Sequence, residues 1–197
     1  MEQTERHGVY IVGYTDGTFG PSRSMTRSEA AAIFARLLAE KNGDTISTAA
    51  NTKFADIPAH AWYSGYVKYL SNNGITYGKS KTVFAPNDAI TRAEFTTMAV
   101  RFFDVYGSGD AEIMEQFSGF NDVSSGYWAA EYIKYAALHG WINGYGDGSF
   151  HAEREINRAE VVTIVNRLLG READEDYIAD NLRKLNTFPD VSRKHWA

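Results

Sequence analysis

The chain has 197 residues, of which 44% are hydrophobic and 23% charged, enough to bury a sizeable core in one domain or two small ones. A net charge of −5 without a basic run argues against binding nucleic acid by phosphate neutralisation. The absence of cysteine excludes disulfides and thiolate metal centres, and no apolar run reaches the length of a membrane span.

In chain order, residues 1–12 lack the basic start and long apolar stretch of a signal peptide. Tyr-Thr-Asp-Gly-Thr-Phe follows at 14–19, and Asp-Gly between apolar residues predicts a hairpin turn. Thr26-Arg27-Ser28-Glu29 has a capping residue and, three positions on, a glutamate, which predicts a helix start. Ile33, Phe34, Leu37 and Leu38 then line one face of that helix. A polar stretch at 39–53 precedes Phe54, Asp56, Ile57 and Trp62, and apolar positions 62, 66, 67 and 70 predict a second helix that Gly74 stops.

From here the pattern repeats. Phe120, Asp122, Val123 and Trp128 renew the Phe-x-Asp-[Ile/Val]-x4-Trp motif, and so do Phe188, Asp190, Val191 and Trp196. Thr91-Arg92-Ala93-Glu94 and Asn157-Arg158-Ala159-Glu160 renew the helix start. A phenylalanine (Phe19, Phe84, Phe150) stands eight residues before each arginine, and Trp62 to Trp128 sets a period of 66 residues. Repetition at such a period marks a repeat architecture. Stripes at Phe95, Met98, Ala99, Phe102 and Phe103, and at Val161, Ile164, Val165, Leu168 and Leu169, match the first. The expected fold is therefore mainly α, with repeats of helix, short hairpin or loop, and helix in pseudo-threefold arrangement around a central three-helix bundle. One domain over 1–197 is expected: 8–38 as the back half of a repeat, 54–103 and 120–169 as full repeats, and 188–197 as a front that completes the first.

Capping explains the threonines, Asn157 and the three glutamates without any ligand. It does not explain arginine, whose charge at the first helical position opposes the helix dipole. Two readings stand: a guanidinium beside free helix N–H groups that meets a carboxylate or phosphate, or an internal salt bridge to Asp88 or Glu155. Trp62, Trp128 and Trp196 read either as core anchors or as the floor of a sugar pocket. Asp56, Asp122 and Asp190 suit turn caps, and Lys68 and Lys134 a solvated face. Nucleophile, phosphate-loop and zinc-protease motifs are missing, and the five histidines share no register.

Together these motifs resemble the surface-layer homology (SLH) family, carried by Phe120-Asn-Asp-Val…Trp128-Ala, Gly144-Tyr-Gly-Asp-Gly-Ser-Phe and Ile156-Asn-Arg-Ala-Glu…Arg-Leu-Leu169. The resemblance implies export to the cell wall and non-covalent attachment to an anionic, pyruvylated secondary cell-wall polysaccharide, with no cofactor, no metal and no catalysis. It implies ligand contacts at Arg27, Arg92 and Arg158; the expected ligand-binding set adds Trp62, Trp128, Trp196, Asp56, Asp122, Gly144 and Tyr145. The alternatives are a protein–protein assembly scaffold at the cell surface, with self-association, and a glycan-active enzyme. Two departures point to unequal sites. Tyr77-Gly-Lys-Ser-Lys-Thr-Val-Phe84 replaces the Gly-Tyr-x-Asp-Gly turn, and Glu153 and Glu155 add negative charge beside the third helix start.

Overall fold

A computed structural model describes residues 9–107, 117–171, 188–192 and 195. Among the described residues five helices form: α1 (Arg27–Asn42), α2 (Ser64–Asn72), α3 (Arg92–Tyr106), α4 (Ala130–Leu138) and α5 (Arg158–Leu168). Among the described residues there is no strand, only isolated bridges pairing Ser24 with Asn157 and Thr91 with Glu155. The protein is mainly α, as the periodicity required.

Each long helix begins where its capping box lies. Thr26, Thr91 and Asn157 accept from the backbone N–H of Glu29, Glu94 and Glu160, whose carboxylates reach back to the capping residue's own N–H. Gly43 and Gly107, both left-handed, end α1 and α3. The apolar stripes are buried along all three helices, each large side chain contributing about 1.5–3 kcal/mol. Leu169 is the exception: α5 ends at Leu168, and Leu169 is half-buried in the turn beyond.

The chain divides into two compact units, residues 1–12 with 26–88 and residues 13–25 with 89–197. In the first, α1 packs on α2; in the second, α3 packs on both α4 and α5. Of the expected central bundle, contacts within a unit join only α3 and α5. The Asp-Gly segments are tight loops rather than hairpins between strands. Tyr14 N–H donates to Thr18 and Gly17 N–H to Tyr14; Tyr145 N–H donates to Ser149 and Gly148 N–H to Tyr145. The chain then turns at once into its buried or half-buried phenylalanine, which leaves no room for a ladder. No described helix is long and apolar enough to cross a membrane.

Candidate ligand-binding corners

Each long helix starts against a loop from another repeat, the next one for α1 and α3 and the first for α5, and the contacts recur position by position. Arg27 and Ser28 donate their backbone N–H to Asp88 and Pro86; Arg92 and Ala93 to Arg154 and Ala152; Arg158 and Ala159 to Arg23 and Pro21. The third N–H goes to the capping side chain, and the fourth to the capping carbonyl in its ordinary helical bond. The expected backbone cradle for an anion is therefore already filled by carbonyls and capping side chains of the chain, which leaves the guanidinium to meet a ligand.

The guanidinium too is built in. Arg27, Arg92 and Arg158 are 3–5% exposed. Their Nε–H groups donate to the carbonyls of Phe84, Phe150 and Phe19 at 2.8, 2.9 and 2.8 Å. Arg92 adds an ion pair with Glu160 at 3.0 Å and a bond to the Asn143 carbonyl at 3.1 Å. Burial pulls its pKa down, while Tyr145 and Glu160 pull the other way. The acid beside Arg92 is thus Glu160, the helix-capping glutamate of α5, rather than Asp88 or Glu155. Asp88 pairs with Lys79 at 3.6 Å.

Around these arginines stand Tyr145, expected from the sequence, and Tyr14, Arg23 and Arg154, which the motifs alone did not single out. Arg23 sits 4.0 Å from the Tyr14 ring centre, with Arg158 on the same ring at 4.7 Å. Arg154 and Arg92 sit 5.5 and 5.2 Å from the Tyr145 ring. The Tyr145 hydroxyl is 2.5 Å from Arg154, and Glu160 accepts from both Arg154 and Tyr145. Tyr145 is 38% exposed and, with Arg92, Asn143, Gly144, Glu160 and Arg167, lines a groove of about 290 Å³. The signal for these residues was a count from the phenylalanine: five before it are Tyr14, Lys79 and Tyr145, and four after it are Arg23, Asp88 and Arg154.

That count also sets the register of the second repeat. Lys79 N–H donates to Val83, as Tyr14 does to Thr18 and Tyr145 to Ser149. A side chain on Gly13, Gly78 or Gly144 would strike Phe188, Phe54 or Phe120 respectively. Gly78 is therefore the counterpart of Gly144, and the tyrosine position is held by Lys79, not Tyr77.

The aspartates hold the same loops. Asp56 accepts the N–H of Phe84 and Ala85, Asp122 those of Phe150 and His151, and Asp190 those of Phe19 and Gly20. The second residue of each pair is left-handed, two of them without the freedom of glycine: Ala85 at φ 58° and His151 at φ 54°. Burial alone would raise the Asp122 pKa, but the N–H groups of Phe150 and His151 and the nearby imidazole outweigh it and hold the carboxyl below its usual value. A native value below the unfolded one, about 3.9, stabilises the fold above that pH, and the gain is lost as pH falls through the native value. The gap between the melting midpoints of the native chain and Asp122→Asn should begin to close as pH falls below about 4 and vanish below the native value. A gap that stays constant down to acid pH would show that the carboxylate's charge contributes nothing.

Trp62 and Trp128 stand 54% and 56% exposed, just ahead of α2 and α4, so the core-anchor reading does not hold for them. Helices begin two residues later than the apolar spacing suggested, and Val67 and Leu70 in α2, with Ile133 and Ala136 in α4, carry the burial instead. Trp196 lies outside the described residues. Glu153, expected to repel an anion, accepts from the Tyr127 hydroxyl at 2.5 Å. Burial and that carboxylate together push the tyrosine's pKa well up.

Ser149, His151 and Asp122 lie side by side. Ser149 Oγ is 3.0 Å from His151 Nε2, and His151 Nδ1 is 3.8 Å from Asp122. The Ser149 hydroxyl, however, donates to Asp147 at 2.5 Å and is buried, so Nε2 must be the donor to Oγ. A serine whose proton is given away from the imidazole is held as a loop strut, not prepared as a nucleophile.

The sequence profile of the S-layer homology domain matches residues 3–31, 53–96 and 119–162, more than half of the chain. The chain belongs to the S-layer homology domain family. That family is one of cell-surface anchoring modules and places the chain at the cell surface. The chain is similar to a cell surface glycoprotein 1 of Acetivibrio thermocellus, 35% identical over 199 residues, covering 97% of this chain and 8% of that protein. It is similar to a cellulosome-anchoring protein of the same organism, 31% identical over 196 residues, covering 98% of this chain and 41% of that protein. An exoglucanase XynX from Acetivibrio thermocellus is 33% identical over 159 residues, covering 81% of this chain and 14% of the enzyme. The chain thus spans less than half the length of each.

Proposed function

We propose that this S-layer homology chain holds a larger protein to the cell wall by binding an anionic, pyruvylated secondary cell-wall polysaccharide non-covalently. The observation that carries the reading is the repeated corner itself. A guanidinium is locked by a backbone carbonyl at the start of each of the three long helices, and at Arg92 it borders an open groove beside an exposed tyrosine. A locked guanidinium loses little entropy on meeting a carboxylate and presents a planar fork that matches it. A tyrosine ring offers an apolar face to a pyranose. Several weak contacts on one chain, met by a repeating polymer, add to firm retention. The short share of each relative that the chain spans suits a module that carries other domains as cargo, and the enzyme among them suits cargo that acts on glycans.

Co-sedimentation with Gram-positive wall sacculi, before and after acid extraction of the secondary polymer, tests this. The chain should pellet with intact sacculi and stay in solution with extracted ones. A chain carrying Arg27→Ala, Arg92→Ala and Arg158→Ala together, compared under conditions where it is folded, should lose at least ten-fold in retention. Equal pelleting with extracted walls would overturn the polysaccharide reading. It would favour an assembly role instead, for which the exposed Trp62 and Trp128 supply apolar surface, and which sedimentation velocity would reveal as concentration-dependent oligomers.

A further inference from the structure

The three corners share a frame but not a ligand-facing edge. Resting on the function proposed above, we propose that the Tyr–Arg pair at the edge selects the acidic sugar. The corners at Arg92 and Arg158 then bind it, while the corner at Arg27, edged by Lys79 and Asp88, does not.

The comparison is residue for residue. At Arg158 the edge is Tyr14 with Arg23, and at Arg92 it is Tyr145 with Arg154. In both, two guanidinium groups lie within 5.5 Å of one tyrosine ring. The ring's negative face attracts both cations and offsets their mutual repulsion, so two planar forks are held side by side. That is a receptor for a carboxylate carried on a ring: the forks take the acid and the tyrosine takes the apolar face of the sugar. At Arg92 the Glu160 carboxylate takes a bond from each arginine, yet two cations against one acid leave the corner positive, with the Arg154 side chain 40% exposed.

At Arg27 the same two positions read Lys79 and Asp88, 3.6 Å apart, with side chains 41% and 59% exposed. The ammonium is a compact point charge that cannot grip a carboxylate in two-pronged fashion. Lys79 puts an aliphatic chain and an ammonium at the position that carries a tyrosine ring in the other two corners. The exposed Asp88 presents a like charge to an acidic ligand and already occupies the lysine. Arg27 itself keeps the structural bond to Phe84 that its counterparts make, so this corner retains the frame and gives up the receptor.

The buried Nε–H groups make the test site-specific, because hydrogen-bonded guanidinium protons give resolved NMR signals. The whole ¹⁵N-labelled chain would be titrated with a methyl hexopyranoside bearing a pyruvate ketal. The Arg92 and Arg158 Nε–H signals should shift and that of Arg27 should not. Arg154→Ala should weaken the Arg92 response at least ten-fold and spare that of Arg158; Arg23→Ala should do the reverse. Lys79→Ala should change nothing, whereas Lys79→Tyr with Asp88→Arg should make the Arg27 signal respond. An equal shift at Arg27 in the native chain overturns the proposal, as does a response lost on Lys79→Ala. Sacculus binding without any arginine response overturns this proposal alone. No binding to sacculi or glycoside overturns the anchoring function and this selection with it.

Discussion

Arg92→Ala is expected to destabilise the second unit by about 3 kcal/mol, at the low end for a broken buried ion pair. The side chain is 5% exposed and donates to two backbone carbonyls and one carboxylate. Truncation strands the Phe150 and Asn143 carbonyls, each a group whose unmade bond costs about 1–3 kcal/mol. Glu160 is not stranded, because Arg154 and the Tyr145 hydroxyl still reach it, which keeps the loss from rising further. Arg154→Ala, at the exposed end of the same cluster, should cost less than about 1 kcal/mol. Arg92→Lys should fall between, since an ammonium keeps the charge but cannot reach the two carbonyls and Glu160 together. Urea unfolding followed by circular dichroism checks all three, and a loss below about 1 kcal/mol for Arg92→Ala would show that the corner is not held by this residue. The same numbers bear on binding: a helix-start arginine is a strut as well as a contact, so its removal weakens a corner twice over. Arg154 and Arg23 are the cleaner handles on recognition.

The long helices were legible in the sequence because their signals are local. A capping box lies within four residues, and an apolar stripe within three turns. So Thr26, Thr91 and Asn157 start helices where expected, and Ile33, Phe95 and Val161 point inward. What was illegible depends on residues far apart in the chain. The helix-start N–H groups looked free because the carbonyls that take them, such as Asp88 for Arg27 and Arg154 for Arg92, lie roughly 60 residues on. Trp62 and Trp128 looked like core because tryptophan usually buries its area, yet the helices behind them begin two residues later and turn other side chains inward. The replaced turn at 77–84 showed no tyrosine register of its own, although the phenylalanine count places Lys79 at that position. Asn157 and Glu160 were read as a cap alone. The cap is real, but one carboxylate oxygen of Glu160 serves it while the other serves Arg92 and Arg154.

Gly78→Ala should cost the first unit about 3–4 kcal/mol, the sum of two penalties that other glycines carry singly. Gly78 has φ 79°, where a Cβ costs about 1–2 kcal/mol. The added methyl would also fall on the Phe54 ring and 2.5 Å from the Val83 carbonyl oxygen. Phe54 is buried against Phe84 with ring centres 5.5 Å apart, so it cannot retreat without opening the core, and such overpacking costs about 1–3 kcal/mol. Gly17 isolates the first penalty: φ is 82° and no atom lies within 4 Å of the added Cβ, so Gly17→Ala should cost about 1 kcal/mol. Gly144 isolates the second, its φ lying outside the left-handed region while the added Cβ meets Phe120 at 2.5 Å and the Ser149 carbonyl at 2.6 Å. Gly144→Ala should cost about 2 kcal/mol and displace the Tyr145 edge of the groove beside Arg92. Denaturation midpoints for the three variants check the ordering Gly78 above Gly144 above Gly17. If Gly144→Ala proved as mild as Gly17→Ala, the close approach of phenylalanine and turn would not be what fixes the loop that carries the corner.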